Sequence, residues 1–330
     1  MRVGFATDAL EAPTPSLQSR SLEWAYRCGL VPNQNAYKKA ADIRVDDLAR
    51  RTYPMANQMV LQVCTDLLLW FFIADDQFDE RSVGASPGRM EAVSNNFIDI
   101  LQSGCPYFAA SPLDWALLDL GGWLARHSQP SWMPRFIANM RLYLDGCLSE
   151  ARNRANGHHP GFEEYRDIRR ASVGTYPCFD VIELTLSGTI SDEVILDPRM
   201  AEIRHIATDL IAWINDVVSF QKESAYDDPH NVISVLMSES GMSLTDATAK
   251  TVELYEQNLR VFLRQSADLR KVFPDPVVAQ YLSGIESWIR GCHTWSFRSK
   301  RYGKEYVLLS KQSSHELLQK TKATAASIRR

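Results

Sequence analysis

Hydrophobic residues recur at intervals of three and four positions along most of the 330-residue chain, and strand-like alternation is scarce. This period predicts helices. Short stretches rich in Gly, Pro, Asp and Ser interrupt the pattern and separate the helical segments. The predicted helices cover residues 52–80, 91–104, 112–127, 133–154, 162–186, 198–224, 243–269 and 275–300. The pattern therefore predicts an all-α fold.

Two of these segments, 59–74 and 206–218, are apolar around nearly their whole circumference. A helix of this kind is expected in the middle of a large helical bundle. The connections between segments are short, none resembles an interdomain linker, and no internal repeat is apparent. We therefore predict one domain over residues 1–330, with 1–20 and 306–330 as flexible tails or lid segments.

Charge and cysteine content narrow the possible functions. The 36 basic and 40 acidic residues give a formal charge of −4, and the basic residues are spread along the chain, which argues against binding to nucleic acid. The N-terminus lacks the apolar stretch of a secretory signal. The longest apolar run, 67–74, is shorter than the roughly 18 residues that a membrane span requires. Six widely spaced cysteines suggest reduced thiols, so we predict a soluble, cytoplasmic protein.

An acidic cluster follows this apolar run directly, in the sequence FFIADDQFDE at 71–80. On a helix, Asp75 and Asp79 lie one turn apart with Asp76 beside them, and Phe71 and Phe72 lie one turn earlier. Carboxylates at this spacing repel one another, which points to a cation nearby. Magnesium suits the cluster because it takes oxygen ligands from a few carboxylates and from substrate phosphates. Taken alone, the cluster fits a solvated helix end equally well, whereas the spacing of a calcium loop is missing.

A second polar set lies in AWINDVVSFQKE at 212–223. Asn215, Ser219 and Glu223 follow one another at intervals of four residues, so they line one helix face over about 12 Å. The residues between them are largely apolar, and oxygen donors on a buried helix need a partner. Neighbouring side chains could supply that partner, but the first cluster makes a shared metal site the better interpretation.

Together the two clusters resemble the paired metal motifs of class I terpene synthases of the microbial, single-domain type. The matches to the DDxxD and NDxxSxxxE motifs are Asp75, Asp76, Asp79, Asn215, Asp216, Ser219 and Glu223. The resemblance extends over about residues 25–305 and implies an all-α barrel that binds three Mg²⁺ ions, with Mn²⁺ as a substitute. It implies that Asp75 and the Asn/Ser/Glu triad are metal ligands, together with Asp76 and Asp79.

Basic residues near the motifs extend the resemblance. Lys222 precedes Glu223 as the diphosphate-binding Lys of the family does, and the pair Arg301 and Tyr302 resembles its C-terminal Arg-Tyr pair. Arg169 lies 46 residues before Asn215, where the family carries a diphosphate-sensing Arg, although the adjacent Arg170 is an alternative. The resemblance implies that these residues bind the diphosphate of a prenyl substrate.

The implied reaction needs a dry cavity in which aromatic faces stabilise a carbocation. We expect Phe71, Phe72, Trp288 and Trp295 in that wall, although core packing would also explain them. By resemblance, the helix near Val173 and Gly174 is expected to break and turn carbonyl groups towards the substrate. The segment from Tyr226 to Asn231 and the segment around Arg301 are expected to order when substrate binds.

The resemblance implies cyclisation of a prenyl diphosphate with release of diphosphate. Farnesyl diphosphate is the expected substrate because the chain has the usual length for sesquiterpene cyclases of this type, and geranylgeranyl diphosphate is the main alternative. A chain-elongating prenyl synthase normally has a second DDxxD motif where this chain has NDVVSFQKE. A helical scaffold would not explain the polar face at 215–223. A homodimer is compatible with the resemblance.

Overall fold

The computed structural model describes residues 15–79, 86–224 and 228–302, and in these ranges the regular structure is helical without a β-strand. Three short 3₁₀ helices accompany the α-helices. The α-helices are α1 (Pro15–Arg27), α2 (Gln34–Ile43), α3 (Val45–Thr52), α4 (Gln58–Asp79), α5 (Pro87–Ser103), α6 (Pro112–His127), α7 (Trp132–Asn156), α8 (Phe162–Ser172), α9 (Thr175–Ile182), α10 (Asp192–Ile195), α11 (Pro198–Ser224), α12 (Val232–Ser240), α13 (Leu244–Val272) and α14 (Pro276–Ser296). The predicted all-α fold is confirmed.

Helix ends follow local chemistry where the sequence carries a cap. At the start of α6, Ser111 and Asp114 bond reciprocally to each other's backbone N–H, and Pro112 occupies the first turn. At the start of α14, the Asp275 side chain accepts a hydrogen bond from the N–H of Val277. The bounds predicted for α6 and α11 match the structure.

Other predicted bounds were wrong. The segment 52–80 becomes helical only at Gln58, because Pro54 lies in a turn after α3. The segment 162–186 is not one helix but two, since α8 ends at Ser172 and α9 begins at Thr175. The predictions also omitted α1, α2, α3, α10 and α12, where short length or mixed polarity weakens the periodic signal.

Two helices form the middle of the protein, as their all-round apolar character predicted. In α4, Leu69 and Trp70 are completely buried, and in α11, Ala207 and Leu210 are as well. α11 packs against α8, α9, α12, α13 and α14, while α4 packs against α1, α3 and α6. A continuous hydrophobic cluster connects the helices from α1 to α14. Polar groups on α4 and α11 must therefore face an internal space or a partner.

Within the described ranges, one stretch, Gln58–Phe78 of α4, has the length and composition of a membrane-spanning helix. The uninterrupted apolar run 67–74 is shorter than this stretch, so the length of that run alone underestimated the length of the apolar part of α4. Most of it is buried inside the protein, and the core helix of a soluble protein meets the same criteria. Its apolar surface is thus used in packing against neighbouring helices.

All six cysteines are free thiols, as expected. Two are half-buried, Cys28 and Cys105, and the other four are buried in the helical core: Cys64, Cys147, Cys178 and Cys292.

Candidate active site

A cavity lies between α4, α7, α8, α9, α11 and α14, and its empty space, counted together with the open solvent at its mouth, is about 1070 Å³. The lining combines charged and amide groups with aromatic and aliphatic side chains. The lining contains eleven of the residues predicted from the sequence: Phe71, Phe72, Asp75, Arg169, Val173, Gly174, Asn215, Glu223, Trp288, Trp295 and Tyr302. Both motifs therefore reach one cavity.

The first motif lies at the C-terminal end of α4. Arg301 Nη2 donates to Asp75 Oδ2 at 2.9 Å and to Asp76 Oδ1 at 2.8 Å, and Arg301 Nη1 donates to Asp76 Oδ2 at 3.2 Å. Burial opposes the charged form of Arg301, but the two carboxylates raise its pKa overall. Asp75 lines the cavity, whereas Asp76 is not part of the lining. Asp79 ends α4, and its side chain and Glu80 lie outside the described part of the chain.

Asn215 begins the second motif on α11. Its Oδ1 accepts a hydrogen bond from Arg169 Nη2 at 2.7 Å, and its Nδ2 donates to the Tyr302 hydroxyl at 2.9 Å. Tyr302 is adjacent to Arg301, which binds Asp75 and Asp76. The C-terminal Arg-Tyr pair thus contacts both motifs at once.

Ser219 and Glu223 lie one and two turns further along α11. The Ser219 hydroxyl donates to the Asn215 backbone oxygen at 2.8 Å, and Glu223 Oε2 accepts from Asn231 Nδ2 at 2.8 Å. Loss of hydration and the nearby Asp216 carboxylate raise the pKa of Glu223 to about 8. Glu223 lines the cavity but Ser219 does not. The Arg169 guanidinium lowers the pKa of Glu223 but does not cancel these two effects.

Asp216 points into the protein instead of the cavity, and it is completely buried. It accepts hydrogen bonds from Arg169 Nε at 2.9 Å, from the Val232 N–H at 2.7 Å and from the Tyr165 hydroxyl. Adjacent residues on a helix differ by about 100° in direction, which explains why Asp216 and Asn215 have different surroundings. Asp216 therefore fixes Arg169 and the start of α12.

The basic residues near the motifs take different positions. Arg169 is half-buried in the lining, held by Asn215 and Asp216. Arg170 instead forms a bidentate pair with Asp209, with both N–O distances at 2.7 Å, and lies outside the lining. Of the two alternatives, the geometry favours Arg169 as the cavity residue. Lys222 is exposed and also lies outside the lining, and its binding role stays a prediction.

The expected helix break occurs at Val173 and Gly174, between α8 and α9. Gly174 has a φ of +70°, a conformation that residues with a Cβ rarely adopt. A Cβ at this position would lie 3.3 Å from the Tyr143 ring. The break lets backbone form part of the cavity wall, as the lining shows.

Aromatic rings in the cavity lining pack against neighbouring rings. Phe71 packs edge-on against Tyr143 with ring centres 5.1 Å apart, and Phe72 packs against Trp295 at 5.2 Å. The Arg301 guanidinium lies 4.8 Å from the centre of the Phe72 ring. All four predicted aromatic residues, including Trp288, lie in the lining.

Several lining residues were not predicted. Glu150 accepts a hydrogen bond from the Ser172 hydroxyl and lies 3.9 Å from Arg169. Asp228 accepts from Arg154 Nη1 at 3.0 Å and from the His230 N–H at 2.9 Å. Burial alone would raise the pKa of Asp228, but His230 and Arg154 lower it. The only sequence signal for Asp228 was polarity beside a helix break, in DDPHN at 227–231.

The available donor atoms fit a hard divalent ion. The described residues include no group of three Asp, Glu, His or Cys side chains placed to hold a metal by themselves. The candidate donors are instead a carboxylate of Asp75 and the amide, hydroxyl and carboxylate oxygens of Asn215, Ser219 and Glu223. Magnesium prefers such oxygen ligands and is commonly completed by water and substrate phosphate.

Comparison with known proteins agrees with these observations. The family model described as terpene synthase family 2, C-terminal metal binding, matches residues 66–260. The chain is 32% identical over 288 residues to germacrene A synthase of Nostoc punctiforme, covering 87% of this chain and 89% of the relative. It is 31% identical over 288 residues to (+)-T-muurolol synthase of Roseiflexus castenholzii, covering 86% and 87%, respectively. The name of that relative specifies cyclisation of farnesyl diphosphate.

Solved structures show the same fold. The crystal structure of α-eudesmol synthase superposes with a TM-score of 0.76 at 25% identity, covering 86% of this chain and 94% of that one. Linalool/nerolidol synthase from Streptomyces clavuligerus gives a TM-score of 0.77 at 24% identity, covering 85% and 95%. The family model matches more than half of this chain, and two relatives are more than 30% identical to it along most of its length. The chain therefore belongs to the terpene synthase family.

Proposed function

We propose that this enzyme ionises farnesyl diphosphate in the presence of Mg²⁺ and cyclises the resulting carbocation to a sesquiterpene, releasing diphosphate. The observation that carries the proposal is that charged and amide groups line the same cavity as aromatic side chains. A prenyl diphosphate has the matching shape, with an anionic head and an apolar tail. The sesquiterpene synthases among the relatives support the fifteen-carbon substrate.

The metal site is assigned to Asp75, with Asp76 and Asp79 beside it, and to Asn215, Ser219 and Glu223. Three Mg²⁺ ions, replaceable by Mn²⁺, are expected there. Bound Mg²⁺ supplies Lewis-acid stabilisation of the negative charge that develops on the leaving diphosphate. The chain itself would contribute oxygen ligands from two separate helices, α4 and α11.

Arg169, Arg301 and Tyr302 are assigned to binding the diphosphate, with Lys222 as an additional contact. Arg169 is preorganised for this role because Asp216 and Asn215 fix its guanidinium. Fixed donors stabilise developing charge without needing to reorient during the reaction. Arg301 and Tyr302 hold side chains of both motifs in the described conformation, so they are placed to exchange those contacts for the substrate.

Ring faces of Phe71, Phe72, Trp288 and Trp295 are assigned to the carbocation. They stabilise positive charge without acting as nucleophiles, and they exclude water from the tail of the substrate. The backbone of Gly174 in the cavity lining adds a polar surface beside Phe71.

Diphosphate release and product analysis test the proposal together. Purified enzyme is incubated with geranyl, farnesyl or geranylgeranyl diphosphate, with Mg²⁺ or with a chelator, and organic extracts are examined by gas chromatography. We expect diphosphate and a cyclic hydrocarbon or alcohol from farnesyl diphosphate only when Mg²⁺ is present. Turnover that requires isopentenyl diphosphate would instead identify a chain-elongating synthase, and no release from any substrate would contradict the proposal.

Ordering of residues 226–231 and of the segment around Arg301 on substrate binding stays a prediction. Tyr226, in the segment expected to order, lies outside the described residues. Hydrogen exchange around residues 226–231 and Arg301 should slow when Mg²⁺ and diphosphate are added, and unchanged exchange in both segments would count against closure. Cytoplasmic location and a homodimer also stay predictions.

A further inference from the structure

We propose that Trp288 sets the longest prenyl chain that the cavity accepts, an inference that rests on the proposed function. Trp288 lies on α14 two turns before Trp295, which corresponds to about 10 Å along the helix axis. Trp295 is near the charged rim, the end of the cavity at Asp75 and Asn215, because it packs against Phe72 and Tyr302. Trp288 is thus displaced from the rim towards the opposite end of the cavity.

The register of α4 locates the same end independently. Leu68 lines the cavity two turns before Asp75, again about 10 Å from the carboxylates. Leu68, Trp288 and Cys178 all belong to the lining, and none of the three carries a charge. We call this end of the cavity, formed by Leu68, Cys178 and Trp288, the floor. The end of a prenyl tail furthest from its diphosphate would reach the floor.

Trp288 cannot easily move away from the floor. Its ring packs edge-on against Tyr53 with centres 5.3 Å apart, and against Phe179 at 6.1 Å. Both neighbours are almost fully buried, with 2% and 0% exposure. The Tyr53 hydroxyl donates to the Cys178 backbone oxygen at 2.9 Å, which connects α3 to α9 behind the ring. The indole is therefore packed against a second layer of fixed side chains.

The backbone of α14 is equally constrained. Gly291, one turn after Trp288, packs so closely on α3 that a Cβ there would lie 2.9 Å from Thr52 Cγ2. α14 therefore cannot shift outwards relative to α3 without disturbing this contact. Because neither the side chain nor the helix can withdraw, the indole is a hard limit to cavity length. Densely packed interiors transmit such limits without much relaxation.

Geranylgeranyl diphosphate has one isoprene unit more than farnesyl diphosphate. Replacing Trp288 by Ala removes an indole, which has more non-hydrogen atoms than an isoprene unit. The constrained surroundings should leave much of this space empty instead of collapsing into it. The variant is expected to accept the longer chain.

The test measures kcat/KM for diphosphate release from farnesyl and geranylgeranyl diphosphate in wild type, Trp288→Ala, Trp288→Leu and Trp288→Phe. The ratio of the geranylgeranyl value to the farnesyl value should increase about tenfold or more in Trp288→Ala, since a pocket distinguishes even one methylene by about 10- to 200-fold. The Leu and Phe variants should give smaller increases in order of removed volume. Circular dichroism identifies the variants that are folded, and a variant that does not fold leaves the test to the other two.

Trp213→Phe is the matched control for Trp288→Phe, because Trp213 is 3% exposed but does not line the cavity. Its ratio should equal that of wild type. An unchanged ratio in every folded Trp288 variant would overturn the inference, and so would an equal increase in Trp213→Phe. If Trp288 stabilised the carbocation only, turnover of both substrates would fall together and the ratio would stay constant. Failure of the proposed function is distinguishable, because wild type would then release no diphosphate from either substrate.

Discussion

The carboxylate of Asp66 on α4 should make the stability of this enzyme depend on pH in an unusual direction. Asp66 is 6% exposed, and Gln62 Nε2 donates to its Oδ1 at 2.8 Å. Burial is the largest influence on it and, with a smaller contribution from Asp119, raises its pKa from 3.8 to about 7. Between these two values, the folded protein holds a proton that the unfolded chain has lost. Stability should therefore fall as pH rises through this window.

The magnitude follows from the width of the window. One pKa unit corresponds to about 1.4 kcal/mol, so a shift of about three units costs on the order of 4 kcal/mol above pH 7. Asp66→Asn removes the ionisable group but keeps an oxygen that can accept the hydrogen bond from Gln62. The variant should be more stable than wild type at pH 8 by about 2–4 kcal/mol, allowing for local relaxation. At pH 4, the two proteins should be nearly equal.

Urea unfolding followed by circular dichroism at several values between pH 4 and pH 8 measures this difference. Asp167→Asn is the matched control, because the Asp167 side chain is 75% exposed and its charge is solvated in both states. That control should change stability little at any pH. A difference between Asp66→Asn and wild type that stays constant from pH 4 to pH 8 would refute the reasoning, as would a less stable variant at pH 8.

Three further predictions concern the site. Asp75→Ala and Asn215→Ala should each abolish Mg²⁺-dependent diphosphate release while circular dichroism stays unchanged; near-full activity in either would contradict the metal assignment. Arg169→Lys should lower kcat/KM at least about tenfold, because Lys cannot hold both bonds of the planar guanidinium, whereas Arg170→Lys should stay within about twofold. Gly174→Ala should lower stability by roughly 1–2 kcal/mol in thermal unfolding, since Ala is strained at φ +70° and its Cβ meets the Tyr143 ring; an unchanged melting temperature would show that the break tolerates a side chain.

Residue spacing predicted the parts of the site that a single helix determines. The interval of four residues between Asn215, Ser219 and Glu223 defines a helix face before any coordinates are known. The aromatic residues one turn before Asp75 and Asp76 were placed correctly for the same reason. Asn215 and Glu223 of this face line the cavity, as do Phe71, Phe72 and Asp75, whereas Ser219 and Asp76 do not.

Spacing could not identify partners that are distant in the sequence. Asn231 bonds to Glu223 and to the Asp216 backbone, yet in the sequence it is one more polar residue at a helix start. Glu150 looks like an exposed charge on a helix until Ser172 and Arg169 are brought next to it. These contacts depend on how helices cross, which a pattern along one helix does not specify.

The contacts of Arg301 and Tyr302 also limit how the enzyme can be re-engineered. Neighbouring Cα atoms are 3.8 Å apart, so one peptide unit connects the residue on the α4 carboxylates to the residue on Asn215. Inserting a single amino acid between Arg301 and Tyr302 would prevent the pair from contacting the α4 carboxylates and Asn215 at the same time. Loops remote from this pair should tolerate length changes. Chimeras that exchange C-terminal segments between related enzymes should therefore keep the number of residues between the preceding helices and this dipeptide unchanged.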